Sequence, residues 1–305
     1  MHNKLTEVVK NLPVFGKWVR KFNTYRTRVP AGHYYSPIVS VQEIKRRESQ
    51  IYPLPKNKME GLELSENEQI ALFTYCFDHY YKDLPFSENS SSKLRYYYNN
   101  KYFGHADATS LYFTIRHFKP RKIIEVGSGF SSAVMLDVNE HFCSNGIDLS
   151  FIEPYPDRLY SLLKDSERKN TNIIVSDLQD VDIRYFEQLE ENDILFIDST
   201  HVSKTGSDVN YLLFNILPVL KSGVIIHIHD IFYPFEYPKE WVIYGNGRFG
   251  WNEAYILRAF LTNQNQYKII IFNDFMQSFH KQGILLNMSN YNQHGRGGSL
   301  YLRKA

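Results

Sequence analysis

The sequence predicts an α/β fold built on a doubly wound, mostly parallel sheet, and three observations carry that expectation. From residue 122 onward, short apolar runs alternate with stretches of helical spacing, the pattern of strands joined by crossover helices. Ile194-Leu195-Phe196-Ile197 and Val224-Ile225-Ile226 are apolar throughout, as central strands covered on both faces must be. Only a short helical stretch and a Gly-rich loop separate the last two apolar runs, which therefore read as antiparallel neighbours.

Taken in order, residues 1–92 read as an N-terminal extension, an irregular arm followed by a helix. Pro30, Pro37, Pro53 and Pro55 break the arm, and Glu66–Lys82 has helical spacing of Ile70, Phe73, Cys76 and Phe77. Ser65 with Glu68 three residues later predicts a capping box at that helix. The polar run 87–92 then reads as the loop into a second domain, 93–305. A helix is expected over 105–118. Seven strands follow, at Lys122–Val126, Leu149–Glu153, Asn172–Ser176, Asp193–Asp198, Gly223–His229, Tyr267–Phe272 and Ser299–Arg303. Helices are expected between them at Ser131–His141, Pro156–Lys164, Asp182–Glu190, Ser207–Leu217 and Trp251–Leu261.

Composition narrows the function. Lys+Arg 35 against Asp+Glu 33 leaves a net charge of +2, without the basic excess of a nucleic-acid binder. Two cysteines, in no zinc-type spacing, fit a reducing compartment and hence the cytoplasm. No apolar run is long enough to span a bilayer. Lys4–Arg28 mixes seven basic residues with apolar ones, so it could touch an anionic membrane surface, or pack on its own domain or a second copy in a homo-oligomer. Aromatic residues reach 15%, which suits aromatic-lined pockets or interfaces as well as a large core.

Ligands of open α/β sheets bind beyond the carboxyl ends of the strands. There the first strand and its turn read Glu125-Val126-Gly127-Ser128-Gly129-Phe130-Ser131-Ser132. Gly127, Ser128 and Gly129 let the backbone approach a ligand. A dinucleotide fingerprint would want glycine at position 132, and Glu125 is better placed beside an ammonium than a pyrophosphate. Glu153 ends the second strand, where a carboxylate can accept from both hydroxyls of a ribose, and Tyr155 can stack on an adenine. Asp177 and Leu178 end the third strand. Asp177 suits an adenine amino group, or a cap of the following turn. Asp198 ends the fourth.

With Glu125-x-Gly127-x-Gly129, Glu153, Asp177 and Asp198 at successive strand ends, residues 95–305 resemble the Rossmann-like class I SAM-dependent methyltransferases. Ile123–Ser132, Phe151–Pro156, Phe196–Asp208, His229–Trp241 and Gly298–Arg303 resemble a bacterial branch of that family of undefined substrate. The resemblance implies S-adenosyl-L-methionine (SAM) as cofactor. Glu125 would face its methionine end above Gly127 and Gly129, Glu153 would hold the ribose, and Asp177 with Leu178 would meet the adenine.

Methyl transfer to oxygen or nitrogen calls for a base or a metal at the acceptor. Asp198, His201 and His229 are the catalytic candidates, and His227 reads as a buried strand histidine. In the catechol-type enzymes of the family, carboxylates after the fourth and fifth strands hold magnesium. Asp198 and Asp230 match them, but Ile231 stands where the third ligand belongs. His201 or His229 could supply that ligand, shifting preference to a transition metal, or act as base without a metal. Tyr233–Trp251, aromatic and Gly-containing, could form a mobile lid. The expected activity is O-methylation of a small molecule or glycan. An NAD(P)-dependent oxidoreductase and a non-catalytic SAM-binding module are the alternatives.

Overall fold

The computed structural model describes residues 29–30, 32–245, 250–292 and 295–305. The arm Lys4–Arg28 lies outside them. Two compact units emerge: residues through Pro53 with Pro238–Gly250, and Leu54–Tyr237 with Trp251–Ala305. The first contains the helices Val41–Arg46, Glu48–Ile51 and Lys239–Tyr244, with Lys239 paired to Glu48. The second contains the whole sheet. The division between units falls at Pro53, so the helix Glu66–Tyr80 groups with the sheet, on the far side of the boundary expected at residue 92.

Seven strands form one sheet: β1 (Lys122–Val126), β2 (Asp148–Ile152), β3 (Asn172–Ile174), β4 (Ile194–Ile197), β5 (Ile225–Ile228), β6 (Tyr267–Phe272) and β7 (Leu300–Lys304). Their order is β3-β2-β1-β4-β5-β7-β6. The first five are parallel, and β7 runs antiparallel to both β5 and β6. All residues of β4 and β5 are buried, which is why their sequences show no polar alternation. Each buried Ile or Leu there contributes roughly 1.5–3 kcal/mol of hydrophobic stabilisation.

Buried polar groups fix the register. The Asp193 carboxylate accepts from the amides of Arg121, Lys122 and Glu190, each at 2.9 Å, and so pins the starts of β1 and β4. Arg95 pairs with Asp137, Glu140 and Glu167, tying the segment before the helix His105–Phe118 to the helix Phe130–Phe142. The largest fully buried side chains are all Tyr or Phe, among them Tyr96, Phe151 and Phe196. Much of the aromatic surplus is thus core.

Three local expectations are corrected. Ser65 adopts φ 50° and its side chain caps nothing, because the left-handed backbone turns the hydroxyl away from the helix amides. Asp182–Glu190 holds only the 3-10 turn Ile183–Tyr185, since alternating charged and apolar residues there have no continuous apolar stripe to bury. Ser207–Leu217 is α-helical at Asp208–Tyr211 and widens to a π turn at Leu212–Ile216, ahead of Pro218, whose missing amide removes a rung of the hydrogen-bond ladder.

Candidate active site

Parallel strands bring their carboxyl ends to one edge, and β1 and β4, whose connections leave in opposite directions, open a crevice between them. A cavity of about 420 Å³ lies there, lined by Gly127, Glu153, Tyr155, Asp177, Leu178 and Asp198 among others. Gly127 has φ 79°, and a Cβ on it would fall 1.9 Å from the Asp198 carbonyl oxygen. Only glycine allows this approach. The Asp198 amide donates to the Val126 carbonyl at 2.8 Å, locking the two strand ends together.

Glu153 accepts from the Ser128 amide at 3.0 Å and the Tyr155 amide at 2.8 Å. Its carboxylate is thereby fixed at the cavity wall with lone pairs left for a ligand's hydroxyls. Ser128 itself is buried and contributes its backbone. Tyr155 is 81% exposed, its ring available for stacking. Asp177 makes no side-chain cap bond to the turn Leu178–Asp180, so the capping role open to it is not taken up, and Leu178 is buried behind it.

Glu125 departs from expectation. It is fully buried, is not among the residues lining the cavity, and receives the hydroxyls of Ser131 and Ser132. Burial pushes its pKa up to about 8, against the two serine bonds and with the help of the Asp198 and Glu153 charges. The carboxylate supports the turn from beneath rather than facing an ammonium. Ser132 also accepts from the Gly129 amide at 2.9 Å, satisfying the start of the helix. That is the chemistry a serine offers where a dinucleotide fingerprint has glycine.

Beyond Asp198 the acceptor-side residues converge on one imidazole. His201 Nε2 lies 3.2 Å from Asp198 Oδ1 and 3.7 Å from Asp230 Oδ2, and Nδ1 lies 2.8 Å from Glu253 Oε2. The Trp251 ring stands 4.0 Å from the imidazole, tilted 40°. His201 and Glu253 side chains are 5% and 6% exposed, whereas Asp198 is 37% and faces the crevice. Burial draws His201 toward neutrality, but hydrogen bonds to Asp198 and Glu253 prevail and raise its pKa to about 10. It is an imidazolium at neutral pH, a poor base as it stands. Asp198 is drawn up by burial, yet His201 and other positive groups hold it below the usual carboxylate range. Asp230, more deeply placed, is raised by burial in spite of His229 and His201.

His229 Nε2 lies 3.7 Å from Asp230 Oδ1. Burial lowers its pKa, but Asp230, Asp198 and Asp107 bring the balance above the ordinary value. His227 stacks on Phe196 at 3.7 Å and bonds Ser299 Oγ at 2.9 Å, so it is a core histidine. Among the described residues, no group of three or more His, Cys, Asp or Glu side chains is placed to hold a metal ion. His201 stands between the two carboxylates that would be its ligands.

Tyr233, Phe235 and Tyr237 are buried, so the front of the expected lid is packed, and residues 246–249 lie outside those described. Glu253 is the member of the His201 cluster that sequence reasoning missed. It is 52 residues from His201, and nothing in its spacing marks it.

A doubly wound sheet with its cavity at the switch between β1 and β4, and with an antiparallel strand closing the far side, defines a class of nucleotide-cofactor-binding α/β proteins. A family model described as a methyltransferase domain matches residues 124–231, which run from β1 past the end of β5. An uncharacterized protein of Archaeoglobus fulgidus is 37% identical over 184 residues, 58% of this chain and 80% of its own. Among solved structures, a Podospora anserina methyltransferase bound to S-adenosylhomocysteine is 13% identical at a TM-score of 0.40, over 92% of this chain and 99% of its own. The Streptomyces achromogenes O-methyltransferase TomG, solved with SAM, is 12% identical at 0.38, over 86% and 96%. The chain thus carries a methyltransferase domain at residues 124–231. It is a methyltransferase, and the nicotinamide alternative falls with that assignment.

Proposed function

We propose that the enzyme methylates a hydroxyl oxygen of a small molecule or glycan, in the crevice bordered by Asp198 and Asp230. The observation that carries this reading is the convergence of Asp198, Asp230 and Glu253 on His201 beside the cavity. A hydroxyl is a weak nucleophile until it loses its proton, and buried carboxylates meet that need. Residues 1–92 are read as an extension that serves this catalytic domain.

SAM supplies an activated methyl group on a sulfonium centre. Glu153 would accept hydrogen bonds from the ribose hydroxyls, Tyr155 would stack on the adenine, and Asp177 with Leu178 would border it. Gly127 leaves room for the methionine chain. Asp230, whose affinity for a proton burial increases, takes the acceptor's proton. His201 holds Asp198 and Asp230 together in place of a cation, and Glu253 holds His201. Trp251, half-buried beside His201, offers aromatic surface to a ring or to the apolar face of a sugar.

A panel of glycans, nucleotide sugars and phenols incubated with methyl-labelled SAM tests this. Asp230→Asn is expected to lose about 10²–10⁴-fold in transfer, with SAM affinity unchanged and with wild-type transfer insensitive to chelators. Transfer that persists in Asp230→Asn, or that vanishes on chelation and returns with magnesium or a transition metal, overturns this reading.

A further inference from the structure

A second cavity, of about 620 Å³, shares no lining residue with the crevice. It lies against Leu149 and Phe151 of β2, between the end of the helix Phe130–Phe142 and the segment entering β3. Chain geometry opens it. The helix after β2, Asp157–Leu162, has six residues and reaches only about 9 Å, whereas the five residues of β2 span about 17 Å. The return to β3 runs through turns closed by the amides of Glu167, Asn170 and Thr171. Leu136 and Leu149 are consequently left half-buried at the cavity.

Its walls are fixed. The Asn139 side chain exchanges two 3.0 Å hydrogen bonds with the Ile147 backbone, and Ser144 and Asn145 turn between them at φ 52° and 56°. All three carboxylates that line the cavity are already paired: Glu140 with Arg95 and Lys164, Glu167 with Arg95, and Asp148 with Lys122. The polar groups left over are neutral. Among the described residues, the side-chain amides of Asn145 and Asn170 make no hydrogen bond, and both line the cavity. Asn172 donates its Nδ2 to Ser150 Oγ at 3.0 Å and to the Tyr185 hydroxyl at 3.1 Å, which leaves its oxygen as an acceptor.

We infer that this cavity binds one unit of a neutral saccharide, apart from the site of methyl transfer. Side-chain amides present donors and acceptors side by side, and so match hydroxyl groups, each of which both donates and accepts. Leu136 and Leu149 offer apolar surface to the C–H face of a pyranose. A charged ligand would meet no lining carboxylate or cation that lacks a partner. The volume falls within the range of small-ligand pockets, roughly 300–1,000 Å³. The inference goes beyond the proposed activity and stands whichever hydroxyl is methylated. With a glycan acceptor, the cavity would hold a stretch of it away from the reacting unit.

Amide shifts of the isotope-labelled full chain, followed by NMR during titration with the methyl glycosides of glucose, galactose, mannose and N-acetylglucosamine, test this. At least one glycoside is expected to give saturable shifts at Gly146, Asn170 and Thr171, and none at Gly127 or Asp198. Asn145→Gly, which keeps the left-handed backbone accessible, combined with Asn170→Ala should weaken that binding about 10-fold, the loss of one or two neutral hydrogen bonds. SAM affinity should stay unchanged in that variant. Shifts confined to the turns after β1 and β4 overturn the inference, because the saccharide then sits in the crevice. Silence toward all four glycosides overturns it too, as does a stronger response to glucuronate or glucosamine than to the neutral set. Glycoside binding by a chain that fails to bind SAM keeps this inference and removes the cofactor reading.

Discussion

His201 and Asp230 both adopt left-handed backbone conformations, at φ 59° and 58°. Each costs roughly 1–2 kcal/mol relative to an ordinary conformation, and in this protein the two residues aim their side chains at the same point. Strain retained at two adjoining strand ends fits a site in which aim matters more than stability. Glu125 has a different role and a measurable signature. Its ordinary pKa of 4.5 rises to about 8 through burial. A group raised in this way stabilises the fold fully below its unfolded value, and its contribution is lost as pH climbs through the folded one. The melting temperature of the cofactor-free protein should therefore fall between about pH 4.5 and 8, at about 2–4 °C per kcal/mol lost. Glu125→Gln should flatten that slope. Parallel melting curves for the two proteins across the window would assign the carboxyl to some other role.

At the level of elements, the decisive contact is between the turns after β1 and β4. Gly127→Ala places a Cβ 1.9 Å from the Asp198 carbonyl oxygen and demands a positive φ from alanine. The expected loss is about 2–5 kcal/mol from overpacking and backbone strain together, visible as a lowered urea midpoint and weakened SAM binding. A variant with the wild-type midpoint would mean that the two turns are less tightly joined than this geometry requires. The strands that make this contact were legible because they are largely apolar: β1 and β6 match their expected ranges residue for residue, β3 is two residues shorter at its end, and the other four differ by one or two residues at both ends. Elements that depend on polar detail were not. Ser65 has the residue type of a cap but not the backbone conformation, and only tertiary packing decides the latter. The carboxylates Glu153 and Asp198 were legible from strand-end position, whereas Glu253 was not, because its role depends on a helix from a distant part of the chain reaching His201.

For the molecule as a whole, near-balanced charge and an aromatic core describe a protein whose specificity is concentrated at one sheet edge. No helix among the described residues is long and apolar enough to cross a membrane. Every strand-end residue named for the cofactor depends on the same parallel register, so a single binding experiment tests the set. Glu153 is the residue of choice: two backbone amides fix its carboxylate, and it lines the cavity without joining the His201 cluster. Isothermal titration of SAM into the wild-type chain and into Glu153→Ala is the most direct measurement. Saturable binding to the wild type, weakened by about 10- to 100-fold in the variant as expected for charged hydrogen bonds to the ribose, is the predicted result. Equal affinity in a folded Glu153→Ala protein, or no binding of SAM to the wild type, would contradict the placement of the cofactor in this crevice.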